Sequence, residues 1–206
     1  HPSITGEGRR RSNKRGDAVT DLAFFEGRLI VSGQSAEGPG SAVTSINFPF
    51  SEFSPPAALE IYHGAHGAVE SGSAPRAFVP FTIDGEPHLL AGYVCTPLVK
   101  FPLKELKGGE KVRGTTVAEL GNRNRPLDMI SYQKGGEDFL LMANSARGVM
   151  KVSTEGIARE DGIEERVEGG GTAGQKYDKI DALEGTVQLD RINDTYAVVL
   201  IQSEGG

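Results

Sequence analysis

Cysteine occurs once in this chain of 206 residues, at Cys95, and tryptophan is absent. A lone cysteine excludes an intrachain disulfide, a CxxCH haem attachment and a CxxC zinc site. No apolar run approaches the roughly 18 residues of a membrane-spanning helix, and no apolar period of 3.6 residues is sustained for long. Positive charge is in the minority: 22 Lys and Arg stand against 28 Asp and Glu, a formal net charge of -6. That balance argues against a nucleic-acid surface or a polybasic membrane anchor. The exception is the run Arg9-Arg10-Arg11-Ser12-Asn13-Lys14-Arg15 within a basic, Gly- and Ser-rich segment, residues 1–19, which reads as a solvated loop. No signal-peptide pattern is present. The opening His1-Pro2 is read as the mark of a processed, recombinant or partial sequence.

What the chain has in quantity is glycine, 28 residues, and proline, 11, with a hydrophobic fraction of 37%. This is the composition of a turn-rich all-β protein. An internal echo refines it. Phe81-Thr82-Ile83-Asp84-Gly85-Glu86-Pro87-His88-Leu89-Leu90-Ala91 is matched by Tyr132-Gln133-Lys134-Gly135-Gly136-Glu137-Asp138-Phe139-Leu140-Leu141-Met142, 51 residues further on, and Leu98-Val99-Lys100-Phe101 by Val149-Met150-Lys151-Val152 at the same spacing. A repeat of this length, made of short strands and Gly turns, predicts a β-propeller, in which each sheet buries its faces only against neighbouring sheets.

Apolar runs and turn residues divide residues 20–206 into units near 20–62, 77–120, 128–167 and 186–202. The first holds strands at 20–25, 28–33, 42–48 and 57–62, turning first at Glu26-Gly27. The second holds 77–83, 87–93, 98–103 and 111–120. The third holds 128–133, 138–143, 148–153 and a fourth at 163–167. The fourth unit has only 186–192 and 196–202, joined at Asn193-Asp194. About three and a half four-stranded blades do not close a ring. The expectation is therefore a portion of a six- to eight-bladed propeller, completed by another chain or by further sequence. A four-bladed ring closed by strand exchange and a β-sandwich are the alternatives.

Propeller geometry sorts the loops. One face gathers His63 to His66, Ser73 to Arg76, Cys95-Thr96, Gly121 to Arg125, Asn144 to Arg147 and Gly169 to Lys176, while the short hairpin turns lie opposite. Long polar loops on a rigid scaffold carry binding groups. His63 and His66 are the metal candidates, for copper, iron or zinc, but they lack an obvious third ligand; Glu70 qualifies only if its loop folds back. Arg123, Arg125, Asn144 and Arg147 are candidates for a small anionic ligand, since guanidiniums grip carboxylates and phosphates. The blander reading pairs Arg123 or Arg125 with Asp128 or Glu119. Cys95 is read first as a structural thiol, and as a nucleophile only if His63 or His66 reaches it. Thr172-Ala173-Gly174 and the Gly169-Gly170-Gly171 run lack the Lys-Ser/Thr ending of a phosphate loop and are read as a flexible loop. Carboxylates such as Asp161, Glu164, Glu165, Asp178 and Asp181 form no calcium-loop pattern and are read as solvated.

The segments Gly121-Asn122-Arg123-Asn124-Arg125-Pro126-Leu127-Asp128-Met129-Ile130 and Phe139-Leu140-Leu141-Met142-Ala143-Asn144-Ser145-Ala146-Arg147-Gly148-Val149-Met150-Lys151-Val152 resemble uncharacterised bacterial propeller-type proteins. The resemblance spans roughly residues 21–201 and implies a propeller acting outside the cytoplasm, periplasmic or secreted, with no catalytic motif to carry across. Without tryptophan there is neither the WD dipeptide of WD-repeat blades nor the Ala-Trp docking motif of quinoprotein blades. The functional expectation is a binding or assembly module with a protein partner and without a cofactor. The alternative is a metal-dependent enzyme or redox subunit built on His63 and His66.

Overall fold

The computed structural model describes residues 14–35 and 40–202. Most of the basic N-terminal segment, His1 included, lies outside the described residues. Sheet I is built from β1 (Asp21–Phe25), β2 (Arg28–Gln34), β3 (Ser41–Asn47), β4 (Ala57–His63) and β5 (Ala68–Glu70), paired in that order. Sheet II starts with β6 (Ala77–Ile83), β7 (Glu86–Gly92) and β8 (Pro97–Pro102). The chain then crosses back, so that β9 (Lys111–Arg113) runs parallel to β4 of sheet I, before β10 (Thr115–Leu120) returns to pair with β8. Sheet III holds β11 (Pro126–Lys134), β12 (Glu137–Asn144) and β13 (Gly148–Ser153). Next, β14 (Thr172–Gly174) adds to β10 of sheet II and β15 (Tyr177–Lys179) to β13 of sheet III. Sheet IV is the hairpin of β16 (Thr186–Arg191) and β17 (Ala197–Ile201).

The hairpins that open sheets I, II and III form for one local reason. Glu26-Gly27, Asp84-Gly85 and Gly135-Gly136 hold two consecutive positive φ angles, the mirror-image turn that matches the right-handed twist of paired strands. In sheet IV, Asn193 does the equivalent work by accepting the backbone N–H groups of Thr195 and Tyr196 on its side-chain oxygen.

The protein is all-β, with several sheets, none of them closed. The sheets stack in series, and three cores lie between them. Ile30, Leu59 and Ile61 of sheet I meet Phe78, Leu89 and Phe101 of sheet II. On the other face of sheet II, Leu90, Leu98 and Leu120 meet Met129, Leu140 and Met142 of sheet III. Ile130, Leu141 and Val149 of sheet III meet Leu189 and Val199 of sheet IV. Because sheet II is covered on both faces, β8 and β10 are buried along nearly their whole length rather than at alternate positions.

The first strands of successive sheets also lie side by side: β1 with β6, β6 with β11, β11 with β16. Two aspartates tie them together. Asp21 accepts the Phe78 N–H at 2.7 Å and Asp128 accepts the Leu189 N–H at 2.8 Å, each also bonding the N–H of the residue that follows it. Burial pushes the Asp21 carboxyl up to about 6, against the pull of those N–H groups and with the charge of Asp128 adding to the rise.

Three expectations need correction. Residues 163–167, read as the outer strand of the third unit, form none; Glu164-Glu165 is exposed and polar, and Tyr177–Lys179 takes that place. The expected single strand 111–120 is split between sheets I and II. The supposed flexible loop at 169–176 contains a paired strand, Thr172–Gly174.

Candidate functional site

The strand β4 alternates, with Ala57, Leu59 and Ile61 buried toward sheet II. His63 continues that series and is only 4% exposed, which puts an imidazole at the end of an apolar row facing the neighbouring sheet. The chain then makes a tight turn, with His63 accepting the N–H groups of His66 and Gly67, and folds back as β5. Glu70 lies opposite Ile61 in this hairpin and so shares the face of His63. Its two carboxylate oxygens take one histidine each: Oε2 meets His63 Nδ1 at 3.0 Å and Oε1 meets His66 Nδ1 at 2.6 Å. The two ring centroids lie 3.9 Å apart, with the ring planes tilted by 38°.

The third member comes from sheet II. Cys95 sits between β7 and β8 and takes a positive φ of 65°, followed by Thr96 at 58°, an uncommon pair for residues with side chains. The Cys95 N–H donates to the Asn124 carbonyl, and the Thr96 hydroxyl donates to that of Gly121, so the single loop 121–125 anchors the backbone that carries the thiol. One ring nitrogen of His63, one of His66 and the sulfur of Cys95 lie within 4.8 Å of one another. No hydrogen bond joins the thiol to either ring, and the His63 Nε2 is buried without a partner. Burial lowers the pKa of His63 from its ordinary value although Glu70 pulls the other way. Burial also works against the Glu70 carboxylate, but the bonds from both imidazoles outweigh it and keep its pKa below the usual range.

Beside this cluster stands a fully buried carboxylate, Glu119 of β10. Its Oε1 accepts the Gly64 N–H at 2.6 Å, while Oε2 has no partner. Desolvation raises it to about 7, against the pull of the Gly64 and Ala65 N–H groups. A Cβ on Gly64 would stand 3.0 Å from the Glu119 Cγ, so glycine is what permits this approach.

Some of the loops expected on one face are hydrogen-bonded to one another, whereas Arg76 of the expected 73–76 loop bonds Gly92 and Asp17 instead. Val167 donates to Gly64, Asn122 to Gly170, and Asn124 to Asn144. Of the expected ligand-binding residues, Asn144 is buried and spent on Asn124, Met142 and Gly148, and the Arg147 guanidinium donates to the Asn122 carbonyl. Arg123 and Arg125 are exposed, and neither is in an ion pair with Asp128 or Glu119. His88 binds the Glu86 carbonyl at the start of β7, away from the cluster. Sequence reasoning found His63 and His66 and named Glu70 on condition that its loop folds back, which the β4–β5 hairpin does, but the convergence of Cys95 and the buried Glu119 emerge only when the sheets are stacked. No helix among the described residues is long and apolar enough to cross a membrane. Scanned against protein-family models the chain matches none, and no curated protein sequence matches it either.

Proposed function

We propose that the chain is a portion of a β-propeller, about three and a half blades of a six- to eight-bladed ring, acting as a binding or assembly module completed by a protein partner. The observation that carries this reading is β17. Each of its counterparts, β2, β7 and β12, is paired on both edges, whereas β17 pairs only with β16 among the described residues. Its side chains are correspondingly bare, with Val198 and Leu200 each 52% exposed. An unpaired apolar edge is a template for added strands.

Two further features support the proposal. The serial stacking of sheets, first strand beside first strand, is how blades surround an axis. Leu22 and Phe24 of sheet I and Val198 and Leu200 of sheet IV also border one groove of about 750 Å³, so a sheet entering there would find apolar surface on both sides. The bacterial, extracytoplasmic setting belongs to the same proposal and rests on the resemblance of the Gly121–Ile130 and Phe139–Val152 segments. A small anionic ligand is assigned to the exposed Arg123 and Arg125.

Native mass spectrometry of the protein isolated from its source tests the reading. A second polypeptide should accompany the chain and be lost from a Val198→Lys, Leu200→Lys variant. A lone species of 21.9 kDa would sink it.

A further inference from the structure

We propose that His63, His66 and Cys95 bind a single thiophilic metal ion, zinc or copper, at the seam between sheets I and II. The donor set argues for this class. Two imidazoles and a thiolate suit zinc and copper, whereas magnesium and calcium demand oxygen ligands. Geometry argues for a site rather than a coincidence. Three donor atoms from two different sheets lie within 4.8 Å of one another without a hydrogen bond between thiol and ring. Tetrahedral donors at metal bond lengths of about 2.0–2.3 Å stand roughly 3.3–3.6 Å apart. The closing movement falls to His66, whose side chain is 53% exposed and tethered only through its Nδ1 to Glu70, and to the Cys95 side chain.

The second, independent observation is His63. Its side chain is only 5% exposed, and its Nε2 has no hydrogen-bond partner. A buried, unpartnered polar atom costs free energy unless something satisfies it, and an ion at this position would. Glu70 supplies the rest of the arrangement. By accepting from the Nδ1 of both histidines it leaves both Nε2 lone pairs free to ligate, which is the role carboxylates play behind metal-binding histidines. Glu70 is thus a positioning residue and not a ligand. A dication would balance the charges of the Cys95 thiolate and the Glu70 carboxylate, with the buried Glu119 standing beside them.

The test uses the full chain without an affinity tag, freed of metal by chelation and titrated with zinc alone, and in parallel with cobalt(II) as a spectroscopic stand-in. One equivalent should bind. The cobalt form should show a sulfur-to-metal charge-transfer band, and bound zinc should protect Cys95 from alkylation. His66→Ala, at an exposed position, and Cys95→Ser should each weaken binding at least 100-fold. Glu70→Gln should weaken it roughly 10- to 100-fold with the charge-transfer band retained. Three results overturn the proposal. One is no stoichiometric binding; another is binding unchanged in the Cys95→Ser and His66→Ala variants, which would place the ion elsewhere, at His1 for instance. The third is alkylation of Cys95 at the same rate with and without zinc, as a metal-free thiol beside a histidine base would show.

Discussion

The strands β12 and β17 occupy the same place in their sheets and are almost equally apolar, Phe139-Leu140-Leu141-Met142-Ala143 against Ala197-Val198-Val199-Leu200-Ile201. Their surroundings are opposite. Leu140 and Met142 are fully buried, while Val198 and Leu200 are half exposed. The difference lies in what each strand has beside it. Sheets II and IV cover sheet III, and β13 pairs the second edge of β12; sheet IV is covered on one face, and β17 ends it among the described residues. Hydrophobic sequence makes a core only where a neighbour is supplied, and β17 has the sequence of a core strand without the neighbour.

The comparison can be broken most forcefully at its buried end. Leu140→Ala should cost about 2–5 kcal/mol of unfolding free energy in denaturant titrations, the range for emptying a packed site. Leu200→Ala should stay within about 1 kcal/mol. Equal costs would mean that the two strands are equally packed. Asp128→Ala comes next, expected to cost about 1–3 kcal/mol by stranding the Leu189 N–H between sheets III and IV. In hydrogen exchange, β16 and β17 should lose protection while β7 and β12 keep theirs.

A smaller effect concerns pH. The Asp21 carboxyl rises from 3.8 to about 6 on folding, so between those values the folded chain holds more protons than the unfolded one. Its contribution to stability is therefore greatest below about pH 4 and falls as pH rises toward 6. Asp21→Asn should flatten that slope in thermal melts taken across the window, even if it lowers stability throughout by stranding an N–H of Leu22 or Phe78. An unchanged slope would place the titration elsewhere.

Much of the fold was legible because it is local. The Glu26-Gly27, Asp84-Gly85 and Gly135-Gly136 turns mark their hairpins by residue type alone, and the 51-residue spacing holds for strands 97–102 and 148–153. The short strands were not legible. Lys111–Arg113, Thr172–Gly174 and Tyr177–Lys179 are three residues each, too brief for alternation to show, and their partners are chosen by how the sheets stack. The cluster divides the same way. His63 and His66 stand out on a Gly-rich turn, but Cys95 reaches them only across the seam between two sheets. Glu119 reads from the sequence as a partner for Arg123 or Arg125, whereas the fold buries it and turns its Oε1 to the Gly64 N–H.

Light scattering on the purified chain across a range of concentrations tests most directly whether β17 and the faces beside it form an interface. The account predicts a mass above 21.9 kDa that grows with concentration as bare faces find one another, and a plain 21.9 kDa species for the Val198→Lys, Leu200→Lys variant. A wild-type chain that stays at 21.9 kDa at every concentration would contradict it.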